Sequence, residues 1–201
     1  MLESQYTCLR DEVIPALDKH HITIQRHCSL NDERKTALQQ YFDREIFPVL
    51  TPLAVDPGRP FPHISNLSLN LAVMLRNAEG QQRFARVKVP GTLPRFVPVH
   101  DILHKYNGKR RGKRRLFVLL EEVIAANLMR LFPGMQILES HPFRVTRNAD
   151  VEIEEDEASD LLETIEAGVR QRRFGRVMRL EVQDDMPQYL EIGRASCRER
   201  V

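Results

Sequence analysis

The sequence contains no tryptophan, only three cysteines, and just 6% aromatic residues. Cys8 and Cys28 stand alone, with no metal-ligand spacing around them, and are expected to be buried or idle thiols. No apolar run reaches the roughly 18 residues that a membrane-crossing helix requires. The first twenty residues, MLESQYTCLRDEVIPALDKH, are charged and amphipathic and do not have the apolar centre of a signal peptide. A Walker-type loop, with fixed glycines ahead of Lys-Ser/Thr, is missing. The net charge of +2 is too small to argue for nucleic acid; only local clustering can do that. These absences point to a soluble cytoplasmic protein. With 201 residues, 42% hydrophobic and 29% charged, the chain is long enough for one domain and a piece of another.

What is present is most specific between Ser29 and Leu75, SLNDERKTALQQYFDREIFPVLTPLAVDPGRPFPHISNLSLNLAVML. Ser29 and Asp32 have capping-box spacing, and Asp32 and Glu33 suit the positive end of a helix dipole. Leu38, Tyr41, Phe42, Ile46 and Val49 fall three or four apart and predict one apolar helix face. Pro48 lacks an N–H and should stop that helix near Phe47. Pro52, Pro57, Pro60 and Pro62 keep the next stretch extended, with a turn at Asp56-Pro57-Gly58. Leu67, Leu69, Leu71, Val73 and Leu75 then alternate with Ser68, Asn70, Ala72 and Met74, which predicts a strand buried on one face, at or near a sheet edge. Arg59 and His63 sit among the prolines within reach of a phosphate, although a lone Arg and a lone His in a loop are more often surface residues.

Elsewhere, Leu2, Leu9, Val13, Ile14 and Leu17 predict an N-terminal helix strained at its end by Pro15. His20, His21 and His27 flank Ile22-Thr23-Ile24 without completing a metal-ligand set. Ala85, Val87 and Val89 form a second alternating strand that pairs with the first as a hairpin across Asn77-Ala78-Glu79-Gly80. Phe96-Val97-Pro98 reads as a proline-limited edge segment. Leu116 to Leu120 predicts a short strand leading into a helix over EEVIAANLMRLF, and Met135 to Thr146 a further strand with Ile137, Phe143 and Val145 inward. Glu152 to Glu157 opens a helix with Leu161, Leu162, Ile165 and Val169 as its buried stripe and Arg170, Arg172 and Arg173 in its last turn. A last strand over Val177 to Val182 completes the pattern. The class is α+β, a helical N-terminal segment followed by a largely antiparallel sheet with two packed helices.

The densest positive charge is Lys105, Lys109, Arg110, Arg111, Lys113, Arg114 and Arg115, in a connection hinged by Gly108 and Gly112. It reads either as a landing strip for a polyanion or as a solvated connection. A nucleic-acid-binding module is disfavoured by the absence of an aromatic platform and of a recognition helix.

The passage from Ser29 to Leu75 resembles the entry into the head, or middle, domain of the long polyphosphate kinases, and the likeness extends more loosely to about Leu190. The resemblance implies the end of a helical N-terminal domain over 1–47, a proline-rich junction over 48–66 and a head domain over 67–190. It implies a parent enzyme, a phosphohistidine-bearing transferase, that moves the terminal phosphate of ATP to inorganic polyphosphate with Mg²⁺. It also implies a homo-oligomer joined through the head domain, in the cytoplasm, with an inner-membrane-peripheral position left open. The polyanion met by Lys105 to Arg115 would then be polyphosphate or ATP. The family's nucleophile lies in a Leu-Lys-x-His-Ala/Ser-Lys context. None of the seven histidines, His20, His21, His27, His63, His100, His104 and His141, has those neighbours. No catalytic, nucleotide-binding or metal-binding residue is therefore carried over, and neither ATP nor Mg²⁺ is expected on this segment alone.

Glu191 to Val201, EIGRASCRERV, resembles a short-read sequencing adapter translated in frame, so these eleven positions, Cys197 included, are expected to be non-native. Deleting 191–201 should therefore leave thermal stability unchanged, within about 0.5 kcal/mol. Melting curves of the two lengths check this; a fall of several degrees would show that the tail belongs to the fold.

Overall fold

The computed structural model describes residues 2–55, 63–108, 114–148 and 176–187. In chain order the first elements are α1 (Leu2–Cys8), α2 (Ile14–Lys19), β1 (Ile22–Ile24), α3 (Asp32–Tyr41), β2 (Pro52–Val55), β3 (Leu69–Arg76) and β4 (Gln82–Lys88). They are followed by β5 (Phe96–Pro98), α4 (Val99–Asn107), β6 (Arg115–Leu119), α5 (Leu120–Ala126), α6 (Leu128–Leu131), β7 (Gln136–Arg147) and β8 (Val177–Val182). The fold is α+β. Packing does not follow chain order, because residues 1–50 group with 89–133 and residues 51–88 with 134–201.

The first unit is helical around a three-stranded sheet of order β1-β6-β5. Two prolines shape its helices by one device. Between α1 and α2 a π-helical turn spans Leu9–Val13, and the Ile14 N–H bonds Leu9 O, five residues back. The same turn follows α3 over Phe42–Ile46, with the Phe47 N–H on Phe42 O. In each case the N–H that closes the widened turn belongs to the residue directly before a proline, Pro15 or Pro48, which lacks an N–H to offer. The expected stop near Phe47 is softened accordingly, and the chain passes through Pro48 in a 3₁₀ turn, Phe47–Val49.

The start of α3 differs from the capping box expected at Ser29. Asn31 is extended (φ −72°, ψ 163°) and its side chain accepts from the Arg34 N–H at 3.1 Å. Ser29 lies in the preceding 3₁₀ turn and donates to Arg26 O at 2.8 Å. An Asn directly before the first helical residue reaches the free N–H groups that Ser29, two residues earlier, cannot. The helix expected over 121–132 is also divided. Asn127 leaves helical geometry (φ −116°, ψ 14°) while its buried Nδ2 donates to Val123 O at 2.9 Å. Ala37, Leu38, Phe42, Ile46, Val118, Val123 and Ile124 are fully buried in this unit.

The second unit is an antiparallel sheet of order β2-β4-β3-β7-β8. β3 and β4 form the expected hairpin, from Asn70↔Lys88 to Arg76↔Gln82, closed by a turn in which Gly80 has φ 80°. β3 is central rather than at an edge, and both of its faces are buried. Leu71, Val73 and Leu75 share one face with Ala85 and Val87. On the other, Ala72 joins Ile64, Phe143, Val145 and Met186, flanked by Met74, Phe84, Leu180 and Val182. The alternation implied one buried face because Asn70 and Ser68 read as polar, whereas Asn70 is completely enclosed. The strand begins at Leu69; Leu67 is 59% exposed and left-handed, with φ 57°. The turn predicted at Asp56-Pro57-Gly58, the acidic-to-basic helix predicted from Glu152 and the tail from Glu191 lie outside the described residues.

Leu38, with none of its surface exposed, sets the stability of the first unit. Leu38→Ala should cost about 2–5 kcal/mol through lost burial and the cavity left behind. Leu9→Ala, at a 46% exposed position, should cost under about 0.5 kcal/mol. Denaturant melts of the two variants read the contrast directly.

Candidate functional site

The basic connection starts on the last turn of α4, where Gly108 closes the helix with a left-handed backbone (φ 66°). Lys105 and Tyr106 meet Glu45 there, in the π-helical turn after α3. Glu45 Oε1 accepts from the Tyr106 hydroxyl at 2.9 Å and from Lys105 Nζ. The Tyr106 ring lies between two cations, with Arg44 5.2 Å and Lys105 5.5 Å from its centroid. The hydrogen bond from Lys105 holds the Glu45 carboxyl below its ordinary value; partial burial works against this and the Tyr106 hydroxyl adds to it. That same bond raises Lys105, while burial followed by the Glu45 contact raises Tyr106.

The far end of the connection is pinned as well. Arg114 Nη2 reaches Asp18 Oδ1 at 2.6 Å and its Nε reaches Thr23 Oγ1 at 3.1 Å, while the Thr23 hydroxyl donates to Asp18 at 2.8 Å. Asp18 is held below its ordinary value by the Thr23 hydroxyl and then by Arg114. Arg115 is exposed, and its backbone N–H bonds His21 O at 2.7 Å where β6 runs parallel to β1. Two of the cations read from the sequence, Lys105 and Arg114, are thus paired with carboxylates, and their positive charge is partly spent. Lys109, Arg110, Arg111 and Lys113 lie outside the described residues.

Other charged groups here are structural. Glu121, 5% exposed, takes a two-pronged contact from Arg95 Nε at 3.0 Å and Nη2 at 2.6 Å. Glu122 accepts the His27 N–H at 2.6 Å. Burial, with Lys35 nearby, lowers the His27 ring against the opposing pull of Glu122. His20 and His21 are exposed. Sequence reasoning missed Glu121 because a Glu beside an apolar run reads as a helix start facing water; the partner that makes its burial tolerable, Arg95, is 26 residues away. Among the described residues no three His, Cys, Asp or Glu side chains are grouped to hold a metal ion. No helix among them is long and apolar enough to cross a membrane.

This arrangement is a pair of helix-end anchors, Lys105 on Glu45 and Arg114 on Asp18. The family described as polyphosphate kinase middle domain matches residues 33–192. The chain belongs to the polyphosphate kinase family. It is 49% identical over 190 residues to polyphosphate kinase 1 of Chlorobaculum tepidum, covering 94% of this chain and 27% of that protein. It is 52% identical over 177 residues to the polyphosphate kinase of Mycobacterium avium, covering 88% of this chain and 24% of that one. The chain thus spans about a quarter of the length of these curated relatives. The fold is that of the crystal structure of polyphosphate kinase from Porphyromonas gingivalis, with a TM-score of 0.71 at 24% identity, over 96% of this chain and 26% of that chain.

Glu45 gives a pH test of the anchor. Its carboxyl is lowered on folding, so its contribution is complete above the ordinary value of 4.5 and is lost as the pH falls through the lowered one. Glu45→Gln should therefore melt below the parent at pH 7, with the gap closing as the pH drops below about 4.5. Thermal midpoints of both proteins from pH 7 to pH 3 check this; a gap independent of pH would contradict it.

Proposed function

We propose that this chain is a middle-domain segment of an ATP:polyphosphate phosphotransferase and supplies framework and subunit association rather than chemistry. The carrying observation is half-identity to polyphosphate kinases across nine-tenths of the chain. The whole enzyme would use ATP and Mg²⁺, pass the phosphate through a histidine on another segment, and act in the cytoplasm. Phosphoryl transfer needs a nucleophile, a metal and converging positive charge brought together. The histidines of this chain lack the family's nucleophile neighbours, which supports a framework role.

Purified residues 1–201 should make no polyphosphate from ATP and Mg²⁺. Turnover above a no-protein control that survives further purification would overturn the framework reading.

Within that reading, the 105–115 connection is the place where a polyanion would meet this segment, with polyphosphate favoured over nucleic acid. Because Lys105 and Arg114 are engaged by Glu45 and Asp18, the polyanion contact is assigned to the remaining cations of the run, Lys109, Arg110, Arg111, Lys113 and the exposed Arg115. Each exposed contact contributes about 1 kcal/mol or less and weakens with salt. Long-chain polyphosphate should bind weakly at low salt, and changing Lys109, Arg110, Arg111 and Lys113 together to Ser should remove that binding while leaving both anchors in place. Titrations at two salt concentrations decide it, and equal binding by parent and variant would leave the connection a solvated one.

A further inference from the structure

Arg86 on β4 is only 8% exposed. Its Nη1 donates to His63 O at 2.7 Å, its Nε is buried without a partner, and among the described residues no carboxylate pairs with it. Burial lowers its pKa. A buried charge in that condition is costly, and such groups are ordinarily paired.

Beside the apolar cluster of Ile64, Ala72 and Phe143, this face carries a few polar groups. In the sheet register Ala72 stands opposite Arg86, and Asn70 stands opposite Lys88, so Arg86, Lys88 and Asn70 share a face as direct and diagonal neighbours. Lys88 is exposed, and its Nζ lies 3.5 Å from Ser65 Oγ, itself exposed. Asn70 is fully buried, and its Nδ2 donates to Ser68 O at 2.9 Å and Ser68 Oγ at 3.1 Å. The Ser68 hydroxyl is in turn committed to Ser65 O at 2.8 Å. This chain of donors fixes the amide orientation and leaves Asn70 Oδ1 as a buried acceptor without a partner. Arg147 holds the covering loop in place through Ile64 O and Asn66 Oδ1, both at 2.8 Å.

We propose that Arg86, Lys88, Ser65 and Asn70 form a binding site for one protonated phosphoryl group, either orthophosphate or the end of a polyphosphate chain. Two cations favour an oxyanion over a neutral ligand, and a guanidinium offers the forked donors such a group accepts. The Ser65 hydroxyl adds a donor at the rim. Asn70 Oδ1 selects among oxyanions, because it can only accept and so favours a ligand that carries a proton. In mildly acidic solution orthophosphate always carries a P–OH, and a chain-end phosphoryl group, whose last ionisation falls at about pH 6, still offers one. Sulfate and carboxylates offer none there. The site lies wholly in the unit built from 51–88 and 134–201 and does not depend on the 105–115 connection.

Isothermal titration of the full chain at pH 6 and constant ionic strength, with orthophosphate, tripolyphosphate and sulfate as probes, tests the assignment. Saturable one-to-one binding of orthophosphate is expected, about tenfold tighter than sulfate, since one hydrogen bond to a charged group is worth about a factor of ten. Tighter binding of tripolyphosphate would identify a chain end as the ligand, and equal binding free phosphate. Lys88→Ser, at an exposed position, should fold and bind orthophosphate about tenfold more weakly. Arg86→Gln should abolish binding, and if it does not fold, Lys88→Ser and Ser65→Ala carry the test. Equal response to phosphate and sulfate, or unchanged binding by Lys88→Ser, would overturn the proposal.

Discussion

Burial of β3 on both faces is the constraint from which the second unit follows. Leu71, Val73 and Leu75 are hidden on one side and Asn70 and Ala72 on the other, so a slip of one residue would exchange the two sets and place Asn70 among the leucine positions. The register is therefore held from both flanks, by β4 through Asn70↔Lys88 and by β7 through Asn70↔Phe143. Through it Arg86 comes to lie under the 63–68 loop. That loop crosses a closed face of the sheet, so its carbonyls need donors, and Arg86 and Arg147 supply two of them.

The first unit rests on a different device. Its helices meet prolines at Pro15 and Pro48, and each time the chain widens one turn rather than breaking. This keeps Glu45 in line with α3 and lets it face the end of α4. The exposed pairs at Glu45 and Asp18 fix geometry more than they add stability, because water screens them. The Arg95–Glu121 pair is another matter, since removing the half-exposed Arg95 would strand the buried Glu121 carboxylate without its partner.

Local periodicity carried the strands, the hairpin, the α+β class and the family resemblance, because alternation and turn residues are written within a few positions of one another. The features that escaped depend on distance. Nothing in Ile22-Thr23-Ile24 announces a parallel partner more than ninety residues on. Asn31 and Ser29 are both plausible caps until the backbone decides between them. Lys105 and Arg114 looked like free charge because Glu45 and Asp18 are far off in the chain. Arg86 looked like the solvent side of an alternating strand, and only the covering loop shows that it is not. The cationic run was legible as charge, and its anchors were not.

Chain exchange tests the framework claim most directly. Residues 33–187 would replace the matching segment in polyphosphate kinase 1 of Chlorobaculum tepidum, to which this chain is 49% identical. If they carry framework rather than chemistry, the chimaera should still form polyphosphate from ATP at a rate within about tenfold of the parent, a barrier change of about 1.4 kcal/mol. A chimaera that folds and assembles like the parent yet makes no polyphosphate would contradict the account.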